Sequence, residues 1–357
     1  MLEPAEVEAV DSSKLYRDYV AWPECALKAL EMEVYPPKAD EVDEVVIGGM
    51  GGSGIVGDII HDYLQPKLHT PIHVVKDYHI PKFIDERSLV LAISCSGNTE
   101  ETISLLHEAL KVNAKVAAVS SGGMLEEVCR RKNIPYTKVE RLLTPRSSLP
   151  CMLYPSIKIV ATALKLYSSL EGELEASIRL MREVREVISP NTPIDRNPAK
   201  QLAAWLHHHI PVVYASTYHR SAALRFKGSL NENAKVHALI EILPELCHND
   251  IVALGEGGWR LLLLRHPKEP PEVYERFEAI KDVAENVGAE FREFTSQGEA
   301  LIDHITSTLY TLEFTTLYLA VLRGVDPAPV PPVDRLKVRL KEKLRYVENY
   351  CRELFQP

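Results

Sequence analysis

Short apolar runs that end in glycine or serine, each followed by a stretch of helical period, recur along this chain and leave it few folds. EVVIG (44–48), SLVLAIS (88–94) and KVAAVSS (115–121) are runs of this kind, followed by GIVGDIIHDYL, EETISLLHEALK and MLEEVCRRKN, and PIHVV (71–75) is a further apolar run between the first two. Runs of five to seven residues bounded by turn residues read as buried strands, and the intervening segments read as helices. Strands alternating with helices predict a parallel sheet covered by helices on both faces. The alternation restarts near Asn197 with helix AKQLAAWLHHH, strand PVVYAS, helix SAALRFKGSLNENA, strand RLLLLRH, a helix over 270–288 and strand AEFREF.

The 357 residues suit two domains. The reading places an N-terminal helical stretch (12–33) and a first sheet domain in 1–155, and a helical connector in 156–196. A second sheet domain follows in 197–325, then a proline-rich link and a basic C-terminal helix in 326–357. The 41 basic and 50 acidic side chains leave a formal charge of −9, which argues against a strongly basic nucleic-acid binder. No apolar run approaches the roughly 20 residues that span a bilayer. The acidic start MLEPAEVEAVDSSK is unlike a signal or transit peptide, so a cytoplasmic location is expected. The six cysteines (25, 95, 129, 151, 247 and 351) have no C-x-x-C rhythm. Free thiols are the expectation, with a disulfide at Cys25 or Cys351 the alternative.

Residues 48–58 read GGMGGSGIVGD. A strand that runs through glycines into a helix start offers backbone N–H groups and the positive end of the helix dipole to an anion. The lysine of a Walker A loop is absent, and Ile55 stands where a nucleophile elbow needs glycine. Gly49, Gly51 and Gly54 match G-x-G-x-x-G, with Asp77 ending the next strand, so a dinucleotide fold is one alternative and a plain tight turn another.

A second strand end reads SCSGNTEET (94–102). Ser94, Ser96 and Thr99 put three hydroxyls in one small volume, which suits the oxygens of a terminal phosphate monoester. N-capping by Asn98 or Thr99 is the competing explanation, and it accounts for one residue of the set. A phosphate held between Gly52–Ser53 and Ser94, Ser96 and Thr99 is the expected ligand.

With both loops in place, the sequence resembles a sugar isomerase (SIS) domain. LTPRSSLP, SLNENAK and PELCHND extend the resemblance to the bifunctional phosphoglucose/phosphomannose isomerase family, from about residue 45 to the C-terminal helix. The resemblance implies an α/β fold of two SIS-type, doubly wound subdomains with parallel sheets flanked by helices, plus a C-terminal helix. It implies metal-independent interconversion of glucose 6-phosphate, and of mannose 6-phosphate, with fructose 6-phosphate through a cis-enediol. Glu232 matches the base that moves the proton between C1 and C2, and His248 the histidine that opens the sugar ring. Arg146 matches the arginine beside the developing enediolate, and Lys337 is the choice for the C-terminal lysine. The family also implies a homodimer in which His248 reaches the site of the partner. A threonine expected shortly before the lysine is not evident in DPAPVPPVD. In the second domain YASTYHRSAA replaces the glycine loop, so one phosphate site per chain is expected.

The run His207–His208–His209 invites a metal, but neighbours on a helix point about 100° apart and cannot converge on one ion. No metal or cofactor is expected. Two rival functions remain: a non-catalytic SIS-type sugar-phosphate sensor, and a dinucleotide-dependent oxidoreductase.

Overall fold

A computed structural model describes residues 2–37, 41–255, 257–345 and 350; Cys351 lies outside them. The stretch expected to be helical over 12–33 divides into α2 (Leu15–Val20) and α3 (Trp22–Glu31), preceded by α1 (Pro4–Val10). Asp11 makes the first break, its carboxylate accepting the amides of Leu15 (2.9 Å) and Tyr16 (2.7 Å). Pro23 sits in the first turn of α3, where its missing N–H costs nothing.

The chain forms two compact units, one of residues 21–175 with 330–357, the other of 1–20 with 176–329. The first unit holds β1 (Val45–Gly48), α4 (Gly51–Leu64), β2 (Ile72–Val75), β3 (Leu89–Ser94), α5 (Glu100–Lys111), β4 (Lys115–Ser120), α6 (Gly123–Lys132), β5 (Tyr136–Lys138) and α7 (Leu149–Ala163). All strand pairs are parallel, in the order β2-β1-β3-β4-β5. Every residue of β3 is buried, and Val90 and Ala92 join Ile103, Leu106, Val116 and Val128 in a core beneath α5 and α6. Gly48 is registered with both Val75 and Ala92, so β1, β2 and β3 end at the same edge of the sheet. The strand order reverses between β1 and β3, and an open α/β sheet forms its ligand crevice outside the strand ends at that point.

Helix α8 (Tyr167–Ile188) leads from this unit into the other, which contains α9 (Pro198–Leu206), β6 (Ile210–Ala215), α10 (Arg220–Ser229), β7 (Leu239–Ile242), β8 (Trp259–Arg265), α11 (Pro271–Val287), β9 (Phe291–Thr295) and α12 (Leu301–Leu322). Its sheet is also all parallel, in the order β7-β6-β8-β9. Val212, Tyr214, Leu261, Leu263, Phe277 and Ile280 form its core against α11.

Helix α12 differs from the expectation that no segment is apolar and long enough to cross a membrane. Its 22 residues meet that criterion by length and composition, yet its most apolar window is 94% buried inside the fold. A helix that is apolar all round is a core helix when protein surrounds it. Its polar residues close onto its own backbone: Thr306, Thr311 and Thr315 donate to the carbonyls of Ile302, Ser307 and Thr311 at 2.8–3.0 Å. The C-terminal helix, α13 (Pro331–Leu344), buries no residue and leaves Val333, Leu336 and Val338 exposed.

Candidate active site

The glycine loop folds as its composition requires. Gly51 has φ +52° and opens α4, where the amides of Ser53 and Gly54 donate to the Met50 carbonyl (3.0 and 3.2 Å). A Cβ on Gly49 would lie 2.9 Å from the Ile93 carbonyl oxygen, so only glycine lets β1 run this close to β3. Gly52 packs against the backbone of Pro145 and Arg146, with a Cβ reaching 3.2 Å from one and 3.3 Å from the other. Lys76, at the end of β2, lies over Gly54 and pairs with Asp58.

Ser53 joins this loop to the hydroxyl loop. Its Oγ is buried, accepts the amide of Cys95 (3.0 Å) and donates to Met152 Sδ (3.5 Å). Ser94 Oγ and Thr99 Oγ1 share a hydrogen bond of 2.8 Å, and the amide of Gly97 donates to Ser94 Oγ (3.1 Å). Ser96 Oγ accepts the amide of Asn98 (3.2 Å). Thr99 occupies the N-cap of α5 without a side-chain capping bond, and Asn98 Oδ1 accepts the amide of Met124. Capping therefore does not explain these residues. Burial, and after it the neighbouring Glu101, raises the Glu100 carboxyl above its ordinary value, which weakens the negative charge at this helix start.

A third loop at the same edge, Ser120–Gly123 after β4, escaped the sequence reading. Gly97 (φ +67°) and Gly123 (φ +72°) pack backbone to backbone, and a Cβ on Gly97 would fall 1.7 Å from the Gly122 carbonyl oxygen. Leu125 donates its amide to Gly97 O (2.9 Å), and Ser121 donates its hydroxyl to Cys95 O (2.6 Å). The signal was SSGGM directly after a strand, a pattern like the other two loops.

Arg146 is buried (2% exposed), on a turn whose ends are tied together. Thr144 and Ser147 exchange bonds through backbone and side chain at 3.0–3.1 Å, and Ser148 donates to Thr144 O (2.8 Å). Trp22 Nε1 donates to Ser147 O (2.7 Å), which ties α3 to the same turn. Gly52, Ser53, Ser94, Ser96, Thr99 and Arg146 thus share one edge of one unit.

Glu232 and His248 lie in the other unit, on separate turns. Helix α10 ends at Ser229 and continues as a wider π-turn, Leu230–Ala234, that carries Glu232. Asn233 anchors this turn, donating to Tyr19 Oη (2.9 Å) and Thr316 Oγ1 (2.8 Å), and Lys235 Nζ donates to the Glu232 carbonyl (2.5 Å). The Glu232 side chain is half-buried. Arg225, about two helix turns earlier, is held above its ordinary value: burial opposes its charge, but Glu313, Tyr19 and more weakly Glu232 outweigh burial. His248 is exposed on the short turn Glu245–His248 after β7; beyond it Asp250 accepts the Tyr214 hydroxyl (2.5 Å). Lys337 is exposed on α13. The histidine run sits at the end of α9, with the His207 and His208 rings stacked 3.7 Å apart.

At the equivalent edge of the second sheet, after β6, β8 and β9, imidazoles stand where the first has glycine and serine. His219 follows β6, His266 follows β8, and His304 opens α12 beside Ser296 after β9. The His266 and His304 rings are 4.0 Å apart, those of His219 and His266 6.1 Å.

Two parallel sheets of this order, one edged by glycine and hydroxyl loops, define a protein of the sugar isomerase (SIS) domain class. A glucose-6-phosphate isomerase like protein from Thermus thermophilus shares the fold, with a TM-score of 0.60 over 94% of this chain and 98% of its own at 20% identity. A model of the bacterial phospho-glucose isomerase C-terminal SIS domain matches residues 195–340. The bifunctional phosphoglucose/phosphomannose isomerase of Caldicellulosiruptor bescii is 31% identical over 85% of this chain and 91% of its own. That of Thermoplasma volcanium is 35% identical over 84% and 92%. The chain belongs to the bifunctional phosphoglucose/phosphomannose isomerase family. The dinucleotide alternative is not favoured by these relatives, and Asp77, its candidate ribose ligand, accepts the amide of Tyr78 (2.6 Å).

Proposed function

We propose that the protein is a sugar-phosphate isomerase that interconverts glucose 6-phosphate and mannose 6-phosphate with fructose 6-phosphate. The observation that carries the reading is the buried Arg146, whose backbone packs against Gly52 and so brings an arginine next to a loop suited to a phosphate. Gly52, Ser53, Ser94, Ser96 and Thr99 take the phosphate in this reading. Glu232 removes the proton from one carbon of the C1–C2 pair and returns it to the other, so a single carboxylate serves both directions. Arg146 stabilises the enediolate oxygen, and Lys337 assists ring opening. His248 exchanges the proton of the ring oxygen from a second copy of the chain in a homodimer. Both aldoses give the same enediol, so epimer choice depends on which face of C2 is reprotonated.

The test is turnover of fructose 6-phosphate in EDTA by wild type and Glu232→Gln. Both aldose phosphates are expected from wild type, with a fall of about 100- to 10,000-fold in kcat for the variant, the usual worth of a general base. Equal turnover by the variant removes Glu232 as the base. Binding of these sugars without turnover by wild type replaces the isomerase with a sensor. Mixing Glu232→Gln with His248→Ala restores activity if His248 serves the partner, and leaves none if each chain uses its own.

A further inference from the structure

Trp22 and Cys25 lie one turn apart on α3 and face the start of α7. Trp22 holds Ser147, and Cys25 meets Cys151 one turn further along. The two thiols are in hydrogen-bonding contact; that bond first, and burial second, raise the Cys151 thiol. Both cysteines line a cavity of about 300 Å³, with Met32 and Val139 as apolar wall and Lys28, Lys138 and Glu140 as charged lining, in which Lys28 donates to Glu140 (2.7 Å) and Lys138 to Glu126 (3.0 Å). Cys25 is part exposed, whereas Cys151 is buried at 3%. The pair thus has one accessible sulfur, one shielded sulfur in contact with it, and room beside them for a small reagent. A capturing cysteine needs access, and a resolving cysteine needs proximity.

We propose that Cys25 and Cys151 form a thiol-modification site, in which Cys25 captures a low-molecular-weight disulfide and Cys151 resolves it. The Cys25 thiolate attacks one sulfur of the reagent, its S–S bond breaks, and the leaving thiolate takes the proton that Cys25 gave up. Cys151 then attacks the Cys25 sulfur and expels the second reagent thiolate, which takes the Cys151 proton. The dithiol is oxidised by two electrons, the reagent disulfide is reduced to two thiols, and α3 becomes bonded to α7. The buried Cys151 is a poor first nucleophile, since the thiolate is the attacking species; contact with Cys25 makes the second step intramolecular. The proposal is independent of the isomerase reading.

The reduced full chain is treated with oxidised glutathione, acid-quenched, alkylated after denaturation and mapped by mass spectrometry. A peptide joining Cys25 to Cys151 is expected, and dithiothreitol is expected to return both thiols. In Cys151→Ser the reaction should stop with one glutathione on Cys25, and in Cys25→Ser no adduct should form at Cys151. Recovery of wild-type Cys25 and Cys151 both alkylated overturns the proposal. So does a glutathione adduct that stays on wild-type Cys25 while Cys151 is alkylated. The wild-type map decides the matter whether or not either variant folds.

Discussion

At Gly97 two requirements coincide: φ is +67°, and a Cβ would sit 1.7 Å from the Gly122 carbonyl oxygen. An alanine there forces the hydroxyl loop away from the third loop. Gly97→Ala is expected to lose at least about 1–2 kcal/mol from the left-handed backbone alone. The same shift should raise KM for sugar phosphates by about tenfold or more, since about 1.4 kcal/mol is a factor of ten. Gly51 is the control, because it also has positive φ (+52°) but nothing within 4 Å of its Cβ position. Gly51→Asn should fold with near wild-type stability, since asparagine visits that conformation readily. Urea unfolding and steady-state kinetics of the two variants check both statements.

Between elements, the contact that bears on the proposed chemistry ties α10 to α12. Arg225 Nε and Ser229 Oγ both donate to Glu313 Oε1 at 2.6 Å, and Arg225 and Glu313 are 3% and 1% exposed. This bond fixes the end of α10 from which the Glu232 turn departs. Glu313→Ala leaves a guanidinium buried with its main partner gone, at an expected loss of about 3–5 kcal/mol in chemical unfolding. Arg225→Met with Glu313→Leu should recover most of that stability, because two apolar groups of similar size ask for no partner. Elements of this kind were legible to different degrees. The two glycine and hydroxyl loops could be read directly, since glycine, serine and threonine at a strand end are local signals. Strands β5 (three residues) and β7 (four) could not, because Tyr136–Lys138 and Leu239–Ile242 are too short and too exposed to give a clear apolar run. The Ser120–Gly123 loop was visible as letters, but its role depends on β4 lying beside β3. The π-turn under Glu232 has no local signature; it is held by Tyr19 and Thr316, far away in sequence.

For the whole molecule, stability against acid should depend on His304. It is fully buried and shares a 2.9 Å hydrogen bond with Ser296 Oγ through Nδ1. Burial first, then His266 and Lys268, push His304 down from the ordinary 6.5 to about 4. Between these values the unfolded chain takes up a proton that the fold refuses. The stability that His304 contributes is therefore complete above pH 6.5 and is lost as pH falls towards 4, on the order of 2–3 kcal/mol. The urea midpoint should drop across that window in wild type and less steeply in His304→Gln. The strand order has a consequence for how the chain reaches this state. Val45 is registered with Leu89 and Ile210 with Trp259, and no described pair of strands is antiparallel. Parallel neighbours cannot be joined by a hairpin, so each central pairing waits for a long crossover to close. Loops of that span delay the rewarding contacts, and refolding should be slow for reasons of connectivity alone, however stable the finished sheets are.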